Sequence, residues 1–138
     1  ELKPNKGSEE ANVVAITELI MKHKFYCQYF LSSFDWFSAI KIKKLLPESY
    51  VGILIDSFDQ KMNFTKVLNK CNEHNFFSCG FNIKIISDEI IKICKNDGIL
   101  VTVYSSQNIE KNEAEELWNL GVDSIFIDNP TSYKNMLE

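Results

Sequence analysis

Strands and helices alternate along the chain, and this alternation restricts the folds that the chain can adopt. Runs rich in β-branched and aromatic residues predict strands at residues 28–33, 51–55, 77–82, 99–104 and 124–127, and a strand end at residues 1–3. Apolar residues at helical spacing predict helices at residues 8–22, 35–45, 61–73, 87–98 and 112–120, and a short terminal helix to residue 137. Such alternation indicates parallel strands joined by crossover helices.

Two architectures have this pattern, namely an open doubly wound sheet and a (β/α)8 TIM-type barrel. An open sheet of the nucleotide-binding type carries a Gly-rich first βα turn, and this sequence has no such turn and only five glycines in all. The barrel is therefore favoured. The chain supplies roughly its last five to six βα units, as one portion of a barrel domain over residues 1–138.

Glu1 and Lys3 lie two residues apart at a predicted strand end, directly before Pro4. Because side chains alternate between faces along a strand, this carboxylate and this ammonium point the same way. Such a pair suits a site that holds a metal ion and an anion. The alternative is an exposed edge strand or a frayed terminus with solvated charges.

Composition narrows the possible partners. The net charge is −4 and there is no basic run, so neither nucleic acid nor an anionic membrane surface is expected as a partner. No apolar stretch approaches the roughly 20 residues of a spanning helix, which predicts no integral membrane segment. The four cysteines have no metal-ligand spacing. Buried free thiols are expected, which favours a reducing compartment and hence the cytoplasm.

Five segments at predicted strand ends carry motifs that can be compared with known families. They are Glu1-Leu2-Lys3-Pro4, Leu-Ser-Ser-Phe-Asp at residues 31–35, Gly-Phe-Asn at 80–82, Val-Thr-Val-Tyr-Ser-Ser-Gln-Asn at 101–108, and Gly-Val-Asp-Ser-Ile-Phe-Ile-Asp-Asn-Pro at 121–130. In order and spacing they resemble the glycerophosphodiester phosphodiesterase family. The corresponding family motifs are Glu-x-Lys, Ser-Phe, Gly-x-Asn, Val-x-Trp-Thr-Val-Asn and the most specific, Gly-Val-Asp-Gly-Ile-x-Thr-Asp-x-Pro.

This resemblance implies a (β/α)8 barrel in which the chain provides the end of the third strand and the fourth to eighth strands. It implies hydrolysis of glycerophosphodiesters to glycerol 3-phosphate and an alcohol, with a divalent metal ion, Mg²⁺ or Ca²⁺, as cofactor. By resemblance, Glu1 is a metal ligand and Lys3 is a catalytic residue that offsets charge on the phosphoryl oxygens. Tyr104, Ser33 and Asn82 are expected to bind the substrate.

The sequence also departs from the family pattern. Tyr104 replaces a Trp, Ile127 replaces a Thr, and Gln107 stands where Asn is usual. The family's first two strands carry a His-Arg-Gly, a Glu-x-Asp pair and a second His, and this chain has none of these. His23 and His74 lie at predicted helix ends, where solvated histidines are expected instead.

These departures and the start of the chain on Glu1 lead to a further expectation. The chain is interpreted as the C-terminal part of a longer enzyme, with a missing N-terminal barrel segment as its partner, and it is expected to be inactive alone. Two alternatives remain open. One is a non-catalytic barrel or interaction module that has lost the active site. The other is a related lipid phosphodiesterase, which an apolar mouth or a membrane-facing loop would support; the aromatic segment at residues 34–37 is interpreted as packing instead.

Overall fold

Five parallel strands form one sheet, and their order in the sheet is their order along the chain. The structure is a computed structural model that describes residues 1–23, 29–131 and 133. The strands are β1 (Phe30–Ser33), β2 (Tyr50–Ile55), β3 (Ser78–Asn82), β4 (Leu100–Tyr104) and β5 (Ser124–Ile125). The helices are α1 (Glu9–His23), α2 (Trp36–Leu45), α3 (Phe64–His74), α4 (Asp88–Asn96) and α5 (Lys111–Leu120).

Helix ends lie close to the predicted positions because short polar residues cap them. Asp35 caps α2, where its carboxylate accepts a hydrogen bond from the backbone N of Ser38 at 3.1 Å. Ser87 caps α4 in the same way. Gly121 ends α5 with a φ of 93°, in the left-handed region that glycine adopts without steric cost.

Helix α3 begins three residues later than the sequence predicts. The carboxylate of Asp59 accepts hydrogen bonds from the backbone N of Lys61 and of Met62, both at 2.7 Å. These bonds hold the two residues in a turn, so the helix begins only after Asn63, whose side chain caps it.

The two faces of the sheet differ in side-chain volume. One face packs against the helices and carries large apolar residues that join the hydrophobic core: Val51, Ile53, Ile55, Cys79, Phe81, Val101 and Val103. The opposite face carries mainly small or polar residues on the central strands: Gly52, Ser78, Gly80, Asn82 and Thr102. Because successive side chains of a strand point to opposite faces, the large apolar residues lie on one face of the sheet and the other face can carry a polar site.

The predicted helix faces are largely buried as expected. Val13, Thr17 and Ile20 of α1 are buried, and so are Val67 and Cys71 of α3. In α4 the helical spacing predicts an apolar face of Ile90, Ile93 and Cys94, and this prediction is partly wrong. Ile90 and Cys94 are buried, but Ile91 is the third buried residue, whereas Ile93 is only half-buried.

The described cysteines confirm the prediction of buried free thiols. Cys71, Cys79 and Cys94 are all free and buried in the core between the sheet and the helices. Burial raises the pKa of the Cys94 thiol to about 12. Cys27 lies outside the described residues.

Both ends of the chain differ from the prediction in detail. Residues 1–3 form no regular strand, although the backbone N of Leu2 donates to the carbonyl of Ser32 in β1 at 2.8 Å. Strand β5 is two residues shorter than predicted. Pro130, Thr131 and Tyr133 lie in a 3₁₀ turn, and the rest of the predicted terminal helix, from residue 134, lies outside the described residues. No helix in the described ranges is long and apolar enough to cross a membrane.

Gly52 lies where two strands approach closely on the polar face, and this leads to the first prediction. Gly52 pairs with Ser78, and a Cβ at position 52 would lie 2.9 Å from the backbone O of Ser78 and closer still to its side chain. We expect Gly52→Ala to lower the free energy of unfolding by about 1–3 kcal/mol, because the strands must shift to admit the methyl group. Urea unfolding measures this change.

The control is Glu116→Ala, at an exposed position of α5, which should change stability by less than about 0.5 kcal/mol. Equal unfolding midpoints for Gly52→Ala and the control would contradict the observed strand pairing.

Candidate active site at the carboxyl ends of the strands

A pocket of about 450 Å³ opens at the carboxyl ends of the five strands. Because the strands are parallel, the residues that end them or follow them gather at this one edge, where barrel sites form. The pocket is lined by Glu1, Lys3, Phe34, Leu54, Asp56, Asn82, Tyr104, Ser105, Ser106, Phe126 and Asp128.

Four of the five residues that the sequence singles out line this pocket. Glu1, Lys3, Asn82 and Tyr104 are brought together although they lie far apart along the chain. Ser33 does not line the pocket. The structure thus agrees with the predicted position of four residues, and their chemical roles remain predictions.

Glu1 and Lys3 form an ion pair at the rim of the pocket. The Lys3 Nζ lies 3.4 Å from the Glu1 Oε2, and the side chain of Lys3 is 75% exposed against 26% for Glu1. An exposed pair of this kind contributes little to stability, at most about 1 kcal/mol. The position of both charges is set instead by the backbone of Leu2, which lies between them.

Ser33 helps to hold this segment. Its buried hydroxyl donates a hydrogen bond to the carbonyl of Leu2 at 2.8 Å and accepts one from the backbone N of Asp35 at 3.0 Å. Ser33 lies next to Phe34 in sequence, and it is Phe34 whose side chain reaches the pocket. The hydroxyl of Ser33 is therefore directed to the backbone rather than to the pocket.

Asp56 connects three neighbouring strands, and the sequence analysis missed it. It directly follows β2, and its Oδ1 accepts a hydrogen bond from the Nδ2 of Asn82 at 2.8 Å and one from the hydroxyl of Tyr104 at 3.3 Å. The sequence does indicate that Asp56 lies at a strand end, because it is an acidic residue immediately after an entirely apolar strand. Its partners follow only from the strand register, which pairs Asn82 with Tyr104.

Tyr104 is held by its hydroxyl and by its ring. The hydroxyl shares its one proton between the carbonyl of Ile55 at 2.9 Å and the Asp56 Oδ1 at 3.3 Å, and the ring packs edge-on against Phe34 with the centroids 5.3 Å apart. The pKa of Tyr104 is raised well above its ordinary value of 10.0, first by burial, then by the negative charge and hydrogen bond of Asp56, and further by Glu1. The phenol therefore stays protonated at neutral pH.

The described residues do not by themselves form a complete metal site. Mg²⁺ takes about six oxygen ligands and Ca²⁺ about six to eight, drawn from carboxylates, carbonyl groups and waters. No group of three histidine, cysteine or acidic side chains is arranged to hold a metal ion in residues 1–23, 29–131 and 133. Glu1 could supply one carboxylate, but the described donor set does not fit a divalent cation unaided.

The two histidines lie away from the pocket. Both were expected to be solvated at helix ends, and this prediction is wrong for His74. His23 is exposed at the end of α1, as expected. The side chain of His74 is only 16% exposed, because its ring packs against Phe76 with the centroids 5.8 Å apart. Its Nε2 is buried without a hydrogen bond in the described part of the chain, and the Glu73 Oε1 lies 3.6 Å away.

The sequence matches one known protein family over almost its full length. The model of the glycerophosphoryl diester phosphodiesterase family matches residues 3–132. A curated glycerophosphodiester phosphodiesterase of Caldanaerobacter subterraneus is 26% identical over 132 residues, which cover 95% of this chain and 49% of that protein. The chain thus spans about half the length of this relative.

Solved structures of two phosphodiesterases are similar to this chain in fold. A phosphodiesterase of Oleispira antarctica, solved in complex with the product sn-glycerol-3-phosphate, has a TM-score of 0.83 at 23% identity over 99% of this chain and 53% of that one. A glycerophosphodiester phosphodiesterase of Parabacteroides distasonis has a TM-score of 0.75 at 17% identity over 99% of this chain and 54% of that one.

These likenesses confirm the predicted fold class. The parallel sheet with its strands in chain order is part of a (β/α)8 barrel, and the chain covers roughly half of each barrel that it matches. The open sheet considered as the alternative is excluded.

The hydrogen bonds of Tyr104 lead to the second prediction. We expect Tyr104→Phe to lower the free energy of unfolding at neutral pH by about 0.5–1.5 kcal/mol, because the hydroxyl bond to Ile55 is lost. The raised pKa means that the folded state holds the phenolic proton more tightly than the unfolded state. The stability advantage of the native protein over the variant is therefore fully present below about pH 10 and is lost as the pH rises further.

Urea unfolding at several pH values measures this difference, and ultraviolet absorbance follows the five tyrosines directly. In the absorbance titration, Tyr104→Phe should remove the ionisation of one phenol. That phenol should ionise at a higher pH than an ordinary tyrosine does. Tyr50→Phe, at a half-exposed residue, serves as the control. If the ionisation lost in Tyr104→Phe lay near pH 10, the hydrogen bonds of the Tyr104 hydroxyl would be wrong.

Proposed function

Because the chain belongs to the glycerophosphoryl diester phosphodiesterase family, we propose that it forms part of an enzyme that hydrolyses glycerophosphodiesters to glycerol 3-phosphate and an alcohol. The chain spans about half of its relatives, so the proposal concerns the barrel completed by an N-terminal segment. The observation that carries it is the gathering of Glu1, Lys3, Asn82 and Tyr104 around one pocket at the carboxyl ends of the strands.

Lys3 is proposed to stabilise the transition state. Its side chain is 75% exposed at the rim of the pocket, so the ammonium group can approach the phosphoryl oxygens of a bound phosphodiester. Negative charge builds up on these oxygens during phosphodiester cleavage, and a fixed cation nearby lowers the barrier. The ammonium lies beside the Glu1 carboxylate at the rim, at 3.4 Å.

Glu1 is proposed to be one ligand of a divalent metal ion, Mg²⁺ or Ca²⁺. The remaining ligands and the acid-base groups would come from the N-terminal segment, since neither His23 nor His74 lines the pocket. Tyr104 would pack against the glycerol or leaving-group carbons, and Asn82 would also bind the substrate. Ser33 would act as a positioning residue, because it holds the Leu2 carbonyl between Glu1 and Lys3.

A reducing location such as the cytoplasm is proposed for the enzyme. Three of the described cysteines are free and buried in the core. Free thiols are typical of proteins in a reducing compartment.

The third prediction tests the activity itself. We name the chain joined to its N-terminal barrel segment the completed barrel. The completed barrel should hydrolyse a glycerophosphodiester with Mg²⁺ or Ca²⁺, whereas the 138-residue chain alone should not, because its described residues contain no group of three side chains arranged to hold a metal ion. Release of glycerol 3-phosphate measures the reaction, and a chelator provides the control.

Turnover by the isolated chain would mean that the catalytic groups lie elsewhere than proposed. A folded completed barrel that binds metal but does not hydrolyse any glycerophosphodiester would favour the non-catalytic alternative.

The fourth prediction concerns Lys3. In the completed barrel, Lys3→Met should lower kcat about a hundredfold, which corresponds to roughly 3 kcal/mol of transition-state stabilisation. Stability should change little, because the ion pair with Glu1 is exposed. The matched control is Lys6→Met, at an exposed lysine outside the pocket. Unchanged turnover in Lys3→Met would identify Lys3 as only a surface charge.

A further inference from the structure

We propose that Asp56 is a positioning residue, whose carboxylate holds Asn82 and Tyr104 in the orientation in which they bind the substrate. This inference rests on the proposed function, which gives Asn82 and Tyr104 their roles as substrate-binding residues. Asp56 lies outside all five segments that carry the family motifs, so the resemblance assigns it no role. Its carboxylate acts on the substrate through these two neighbouring side chains.

The strand register brings the three side chains to one level of the sheet. Ile55 pairs with Phe81, and Asn82 pairs with Tyr104. Asp56 directly follows Ile55, so an acid, an amide and a phenol stand side by side at the ends of three neighbouring strands. All three line the pocket. Their mutual contacts therefore determine the surface that this side of the pocket presents to a ligand.

The side chain of Asn82 is fixed at both ends of its amide. Its Nδ2 donates to the Asp56 Oδ1 at 2.8 Å, and its Oδ1 accepts from the backbone N of Lys84 at 3.0 Å. Asn82 is only 7% exposed, so a rotation that exchanged the oxygen and the nitrogen would lose both bonds with little water to replace them. One of the two N–H groups of the amide is left for a ligand.

The hydroxyl of Tyr104 has a single proton, and the protein already uses it. The proton is shared between the carbonyl of Ile55 at 2.9 Å and the Asp56 Oδ1 at 3.3 Å. A ligand therefore meets the ring and the lone pairs of Tyr104 but no free O–H donor. Burial and the charge of Asp56 raise the pKa of this phenol, so it keeps its proton at neutral pH. Asp56 thus sets the hydrogen-bonding character of Tyr104 as well as its position.

A direct metal contact is the other role that a carboxylate in this pocket could have. The described residues contain no group of three histidine, cysteine or acidic side chains arranged to hold an ion, and this covers both Asp56 and the proposed ligand Glu1. The Asp56 Oδ1 already accepts from two donors of the protein. A hydrogen-bond acceptor can be neutral, whereas the loss of a carboxylate charge weakens the binding of a divalent cation. The two roles therefore predict different behaviour for Asp56→Asn.

The experiment compares two substitutions of Asp56 in the completed barrel, with glycerophosphoethanolamine as substrate. Asp56→Ala removes the acceptor, and we expect kcat/KM to fall about tenfold, mainly through a higher KM, because the binding groups lose their orientation. Asp56→Asn keeps an oxygen acceptor, so kcat/KM should stay within about threefold of the native value and metal affinity should not change. The matched control is Asp88→Ala, at an exposed residue of α4 outside the pocket, which should leave both constants unchanged.

A second comparison shows whether Asp56 acts through Tyr104. In a Tyr104→Phe background there is no hydroxyl to hold, so Asp56→Ala should lower kcat/KM only about threefold, the part that Asn82 contributes. A residue that served only the stability of the fold would lower kcat/KM by the same factor in both backgrounds. Equal factors would therefore overturn the inference.

Binding of sn-glycerol 3-phosphate, measured by calorimetry with Mg²⁺ present, separates this inference from the proposed function. If the native completed barrel hydrolysed no glycerophosphodiester, the proposed function would fail, and binding would still decide the inference. Asp56→Ala should then weaken binding about tenfold, and Asp56→Asn should largely restore it.

Two results would overturn the inference while the proposed function stands. One is a native kcat/KM in Asp56→Ala, and the other is a loss of metal binding in Asp56→Asn, which would identify Asp56 as a metal ligand. In the binding measurement, no affinity of the native protein for sn-glycerol 3-phosphate, or equal weakening in both variants, would also overturn it.

Discussion

The parallel pairing of consecutive strands is the constraint on which the rest of the structure depends. Each strand pairs with the next one along the chain, so every carboxyl end lies at the same edge of the sheet. The alternation of side chains then sends large apolar residues to the helices and small or polar residues to the other face. The candidate active site is a consequence of this register, since its residues come from separate strand ends.

On this sheet, Asp56 sets the geometry of the side of the pocket that Asp56, Asn82 and Tyr104 form. It receives hydrogen bonds from Asn82 on β3 and from Tyr104 on β4, while Tyr104 also reaches back to the carbonyl of Ile55 on β2. The wall is thus fixed across three strands by side chains rather than by a loop. A substrate that contacts Tyr104 would meet a ring whose position is already determined, which reduces the ordering cost of binding.

The sequence predicted the fold well because its signals are local. Capping residues such as Asp35 and Ser87 and the apolar strand β2 identify elements without knowledge of their neighbours. The site was predicted only in part. Glu1, Lys3, Asn82 and Tyr104 reach the pocket as expected, whereas Asp56 was missed because its partners depend on strand register. The burial of His74 likewise depends on Phe76, a contact that helix periodicity does not reveal.

The two outer strands of the sheet differ in how they limit association with other chains. A free strand edge offers unpaired backbone groups to any other extended segment, which is a route to aggregation. On β1, the backbone N of Leu2 already bonds to the carbonyl of Ser32, so part of this edge is covered by the segment that carries Glu1 and Lys3. Strand β5 is only two residues long and offers little edge for pairing. The segment that positions the charged pair therefore also occupies part of the outer edge of β1.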